Sequence, residues 1–324
     1  MNLKKIIENI EILGSNDFRV LREKIDSIIT KKRVSNYLET EFDELECPTC
    51  KSKNINRWGK RSDMQRYRCK KCKRTFNSLT NTSLARLRRK GHWIEYAECI
   101  KEGLTIREAA LICGIHKNTS FRWRHRFIGN YKKIKAKELK GIVEFQESDF
   151  KVSFKGAKKC LEVDKKLEFN LNSHVSLIVG YDRNDNVFDD LLNGLTIDRV
   201  ENSIKRIITK DSLFCSFDRD LYKLLAQSLP LRHGTLNENK GEKIKKNVVH
   251  IKNVDNYNNR FKEWIYKHFK GVATKYLQNY VGWFRSLNEF EDEIKPLTLL
   301  LRSKNGGKYK YQPLKWTSGF FHNE

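Results

Sequence analysis

The chain has 324 residues, with 65 Lys and Arg against 40 Asp and Glu, a formal net charge of +25 and a pI near 9.7. At roughly 150 residues per domain this length holds two or three domains, and a field of that sign and size favours polyanions. No uncharged apolar run reaches the roughly 20 residues that span a bilayer, and the N-terminus lacks the apolar core and cleavage site of a secretory signal. A reduced cytosol is the expected location.

Residues 1–46 read as helical. Ile6, Ile7, Ile10 and Leu13 share a face, which Gly14-Ser15-Asn16-Asp17 interrupts. That stripe serves either dimerisation or packing on the segment that follows.

Residues 47–80 carry Cys47-Pro48-Thr49-Cys50 and Cys69-Lys70-Lys71-Cys72, two Cys-x-x-Cys pairs eighteen residues apart. This spacing fits a ribbon built on a structural Zn²⁺ held by Cys47, Cys50, Cys69 and Cys72. Trp58, Tyr67 and Phe76 are expected to cover the metal core. From Lys51 to Lys90 there are fifteen Lys or Arg and one carboxylate, Asp63. Cys99, Cys113, Cys160 and Cys215 stand singly and are expected to pack as small hydrophobes.

Residues 84–130 read as a DNA-binding region. Leu84 to Lys90 is a basic run, either a solvated linker or a phosphate contact through Arg86, Arg88 and Arg89. Thr105 and Glu108 have the spacing of a capping box, and Gly114 sits where a helix-turn-helix turns. A second helix is expected over Lys117–Phe127, with Trp123 and Phe127 toward the core. Lys117, Asn118, Thr119 and Arg122 then lie near its N-terminal end, where recognition helices meet base edges.

After the lysine-rich connector 131–139 the pattern changes. Strands are expected at Gly141–Phe145, His174–Tyr181, Val187–Phe188 and Leu213–Phe217. One helix is expected from Thr196, with Ile197, Val200, Ile204, Ile207 and Ile208 on its stripe. Another begins near Asp255, with Tyr257, Phe261, Trp264 and Ile265 inward. Strands followed by alternating helix and strand describe an α/β layered domain, so the chain is expected to be multidomain α+β. No motif stands out in the tail 287–324.

The segment from His250 to Lys262, the run Phe269-Lys-Gly-Val-Ala-Thr-Lys-Tyr-Leu-Gln-Asn-Tyr-Val-Gly-Trp283, and the shorter stretches His233–Gly241, Leu139–Glu144 and Phe121–His125 resemble bacterial insertion-sequence transposases. The group is the Merlin-related one, which joins an N-terminal zinc ribbon to an RNase H-like catalytic domain, here 139–286. The resemblance implies a DDE enzyme with two Mg²⁺ ions held by carboxylates, and assembly as a dimer or a DNA-dependent oligomer. It also marks a departure. Gln146 stands in Glu144-Phe145-Gln146-Glu147-Ser148 where the family has its first aspartate, and Phe217 follows Cys215-Ser216 where it has its second. Asp255 occupies the third position, and Lys262 matches a family lysine.

The expectation is a transposase-derived protein that binds a specific double-stranded DNA sequence and has lost catalysis, acting as a regulator or as a competitor at transposon ends. Mg²⁺ would matter only in the alternative, an active enzyme with rearranged ligands drawn from Glu147, Asp149, Asp218 or Asp220. A third possibility is a structural or RNA-binding role for the basic surface.

Overall fold

The computed structural model describes residues 7, 9–40, 46–133, 135–155, 174–237, 244–245 and 248–288. The described chain divides into two compact units at Asn130–Tyr131. Ile6, Cys160 and the tail beyond Asn288 lie outside the described residues.

In the first unit, helix α1 runs over Ser15–Thr40, starting where Gly14 interrupts the pattern. Its second half packs on the ribbon, while Ile7 and Leu13 of the N-terminal stripe stay exposed. Val34 and Leu38 are buried, Lys31 pairs with Asp63 at 2.6 Å, and Glu39 accepts from the Gln65 amide at 2.5 Å. The ribbon strands are β1 (Ile55–Arg61), β2 (Met64–Cys69) and β3 (Thr75–Phe76), antiparallel in the order β1-β2-β3. Tyr67 and Phe76 pack with the cysteines as expected, but Trp58 does not. It lies on the edge strand β1, 46% exposed, with the Arg68 guanidinium 4.6 Å from its ring centroid. An edge strand has one face on a very small core, and Trp58 points the other way.

Helices α2 (Trp93–Lys101), α3 (Ile106–Ile112) and α4 (Lys117–Phe127) follow. Thr105 and Glu108 form the expected capping box, and Gly114 has φ +55° in the turn between α3 and α4. Trp93 and Tyr96 of α2 meet Trp123 and Phe127 of α4 edge to face. Cys99 and Cys113 are buried against each other, sulfur to sulfur 3.9 Å.

The second unit is a five-stranded sheet covered on both faces. Its strands are β4 (Ile142–Lys151), β5 (His174–Asp182), β6 (Val187–Leu192), β7 (Leu213–Phe217) and β8 (Arg232–Leu236), in the order β6-β5-β4-β7-β8. The first three pair antiparallel, while β7 and β8 add in parallel beside β4. Two-residue strands β9 (Ile244–Lys245) and β10 (Val249–His250) pair separately.

Helices α5 (Ile197–Ile204) and α6 (Asp220–Ser228) cover one face, packing Val200, Ile204, Tyr222 and Leu225 on Val143, Phe145, Ile178 and Phe214. The α5 helix ends at Ile204, short of the expected stripe. Ile207 and Ile208 still reach the core, because Leu139 bridges to Ile208 and takes the Thr209 amide. Helices α7 (Lys252–Phe269) and α8 (Thr274–Asn288) cover the other face. There Phe261 meets Phe150, and the buried Arg285 pairs with the buried Asp189 and donates to the Tyr131 carbonyl at 2.9 Å. Gly282 allows that approach. A Cβ there would stand 2.5 Å from the Lys132 nitrogen and the Tyr131 carbonyl carbon.

Candidate metal cluster, basic clefts and candidate active centre

The four ribbon cysteines converge. Their sulfurs lie within 4.8 Å of one another, with Cys47–Cys72 and Cys50–Cys69 each at 3.5 Å. Tetrahedral Zn–S bonds of about 2.3 Å place sulfurs about 3.8 Å apart, so the donor set fits zinc. Each Cys-x-x-Cys turn also presents amides to sulfur, as where the Cys72 N–H donates to the Cys69 sulfur at 3.5 Å. Burial raises the Cys47 thiol, but the amides of Cys50 and Thr49 and the neighbouring thiols outweigh it and hold it down at about 6. Bound zinc would cross-link two turns that otherwise share a very small core.

Beside the ribbon, two clefts gather the basic residues singled out in the sequence. One, of about 440 Å³, is lined by Arg86, Arg88, Arg89, His116, Thr119 and Arg122 among others. The other, of about 1090 Å³, shares Arg86, Arg88 and Arg122 and adds Arg61, Arg66 and Lys90. No carboxylate lines either cleft. Lys117 and Asn118 are exposed at the start of α4. Arg126, Arg61 and Arg66 were not singled out. For Arg126 the signal was present, since a cation beside Trp123 and Phe127 on a helix's core face demands buried acceptors. It finds them in the carbonyls of Ser83 and Ala85.

In the second unit the structure places Gln146, Phe217, Asp255 and Lys262 as follows. The parallel register that pairs Glu144 with Cys215 puts Gln146 abreast of Phe217 when continued two residues. From the helix above, Asp255 and Asn258 complete the cluster. Gln146 Nε2 donates to Asp255 Oδ1 at 3.2 Å, and Asn258 Nδ2 donates to Gln146 Oε1 at 2.9 Å. Asn259 gives Asp255 a further amide at 3.2 Å. Lys262 is half-buried on the same helix, seven residues on, which is about 10 Å along its axis.

Asp255 does not open that helix. It lies in the first turn, because α7 starts at Lys252. Glu144 explains the earlier start. Its fully buried carboxylate accepts from the amides of Asn253 at 2.7 Å and Val254 at 3.0 Å, and pairs with Arg183 at 2.8 Å. It satisfies the first donors of α7 from a neighbouring strand, which no local pattern announces. Burial raises its carboxyl above the ordinary glutamate range.

The candidate substitute ligands are engaged elsewhere. Glu147 pairs with Arg219, Asp218 with Lys223 at 2.8 Å, and Asp149 accepts from Ser176 at 2.6 Å. Asp218 has left the strand, which ends at Phe217, and Asp220 is 95% exposed. Among the described residues, the cysteine quartet is the one group of three or more His, Cys, Asp or Glu whose ligand atoms converge.

Residues 138–285, the second unit with its paired sheet and helices, match the family model of the ISXO2-like transposase domain. This part of the chain is an ISXO2-like transposase domain. The match covers 148 of the 324 residues and supports a relationship to insertion-sequence transposases. A protein of Halobacterium salinarum, named as an uncharacterized protein in transposable element ISH50, is 28% identical over 141 residues, 42% of this chain and 47% of its own length. The chain therefore spans about half the length of that relative. The crystal structure of a pre-cleavage Mos1 transpososome aligns over 67% of this chain and 79% of its own, at 12% identity and a TM-score of 0.20.

Proposed function

We propose that this chain is a transposase-derived protein that binds a specific double-stranded DNA sequence and has lost strand cleavage. The observation that carries the second part is the Gln146 amide, hydrogen-bonded to Asp255 where the family resemblance places two metal-binding side chains. An amide brings no charge, and Phe217 beside it brings no lone pair. Two-metal phosphoryl chemistry needs anionic oxygens around both ions. One carboxylate, already holding two amide donors, does not supply them. The residues present do not fit a two-magnesium centre.

For DNA binding, the support is charge placed by shape. Two clefts free of carboxylates adjoin the start of α4, in a chain of net charge +25. We read the first unit as a zinc ribbon followed by a helix-turn-helix, and the sheet order of the second as RNase H-like. Most affinity would come from phosphate neutralisation, with sequence read by Lys117, Asn118, Thr119 and Arg122. The protein would act as a regulator or as a competitor at transposon-end-like sites, as a dimer or a DNA-dependent oligomer.

The test is a nicking assay on duplexes enriched by the zinc-loaded protein from a random library, in Mg²⁺ and in Mn²⁺. Retention of the duplex uncut is expected. Metal-dependent cleavage that disappears in Asp218→Ala or Asp255→Ala would establish an active enzyme with displaced ligands instead.

A further inference from the structure

We infer that the cleft between the Arg86–Arg89 loop and the start of α4 is a preformed seat for one phosphodiester strand of duplex DNA, and that Arg126 is the residue that positions it. This rests on the DNA-binding reading above. The lining is the first reason. Four guanidiniums, from Arg86, Arg88, Arg89 and Arg122, face a cleft of about 440 Å³ without a carboxylate. The larger cleft shares three of those four, so the basic walls run on beyond one compact ligand's length.

The second reason is that the loop is held in shape. Arg86 and Arg89 have φ of 62° and 55°, in the left-handed region that is unfavourable for a residue with a Cβ. A solvated linker would relax out of it. Here the backbone is tied at three carbonyls. The buried Arg126 guanidinium takes those of Ser83 and Ala85, and Trp93 Nε1 takes that of Arg88 at 3.1 Å. Since Arg126 belongs to α4, the loop is locked to the same helix that offers Lys117 and Asn118 to bases. Arg86, Arg88 and Arg89 themselves keep their side chains accessible at the cleft.

The third reason is the rest of the wall. His116 Nδ1 accepts from the Asn118 amide at 3.2 Å, which leaves Nε2 as the ring nitrogen able to donate. That N–H and the Thr119 hydroxyl are donors at the cleft, matched to phosphate oxygens. The seat grips backbone and carries no sequence information; α4 does the reading.

The experiment uses the full zinc-loaded chain and fluorescence anisotropy across a KCl series, with a random-sequence duplex and a library-enriched duplex. In the triple variant Arg86→Ala, Arg88→Ala, Arg89→Ala the slope of log affinity against log salt should shrink by about 2.7, at about 0.9 for each phosphate no longer neutralised. The ratio of enriched to random affinity should stay as in wild type. An unchanged slope overturns the seat. A collapse of the ratio also overturns it, because those arginines would then be reading bases. Arg126→Lys keeps the charge but loses the planar fork whose separate N–H groups reach the two carbonyls. It should bind about tenfold more weakly at an unchanged slope, the cost of ordering a loosened loop, and wild-type affinity would remove its positioning role. Should Arg126→Lys fail to fold, by zinc content and circular dichroism, the triple variant of accessible side chains decides the seat. Wild-type protein that shows no salt-dependent duplex binding, or prefers duplex RNA, defeats the DNA reading itself.

Discussion

Gln146 Nε2 donates to Asp255 Oδ1 at 3.2 Å, joining the middle of the central strand to the first turn of the helix above it. A neutral amide thereby satisfies one oxygen of the Asp255 carboxylate. This accounts for a folded centre with a single anionic side chain in the cluster.

Changing Gln146 to Asp removes that donor and sets two carboxylates against each other. Without divalent metal the variant should lose about 1–3 kcal/mol of stability. Millimolar Mn²⁺ or Mg²⁺ should restore part of it, and adding Phe217→Asp should strengthen the metal response. Thermal melts with and without metal check this, and wild type should show no such response.

Glu144 caps α7 while buried beside Arg183 and His250. Glu144→Ala should destabilise the second unit by about 2–3 kcal/mol, since it leaves the partly exposed Arg183 without its carboxylate and two helix amides unsatisfied. Glu144→Gln, which keeps the shape, should cost less. Urea denaturation of the two variants gives the comparison.

On the zinc reading of the four cysteines, Cys69→Ser or exhaustive chelation should remove the metal and with it the ordered packing of Tyr67 and Phe76, because a bound metal would supply most of the folding energy of so small a unit. Zinc content should fall from one per chain toward zero. Duplex affinity should fall at least tenfold, while the second unit's unfolding transition stays in place.

Acid should weaken the second unit by way of two histidines. His233, half-buried and bonded to the Ser216 hydroxyl at 2.8 Å, and His250, beside Arg183, are both held below the ordinary histidine value of 6.5, chiefly by burial. A lowered folded value means that the unfolded chain takes up protons first. Stability should therefore be full above pH 6.5 and decline as the pH falls below it. Urea midpoints between pH 7.5 and 5.5 should show the decline, and His233→Gln should flatten it.

Much of this architecture was legible in the chain itself, wherever a feature is local. The capping box at Thr105 and Glu108, the turn at Gly114, the span Lys117–Phe127 and the strand Leu213–Phe217 depend on neighbours a few residues apart, and each stands where its pattern put it. The cysteine spacing likewise announced one cluster of four sulfurs. Other features needed the folded chain. Which face of an edge strand meets a small core decided that Trp58 is exposed, and a carboxylate from a strand more than a hundred residues away decided where α7 begins. The meeting of Gln146 with Asp255, and of Arg126 with the carbonyls of the basic loop, came from packing distant segments together. Composition and spacing state which groups a chain owns. Only tertiary packing sets which of them lose water, and so which partners they must find.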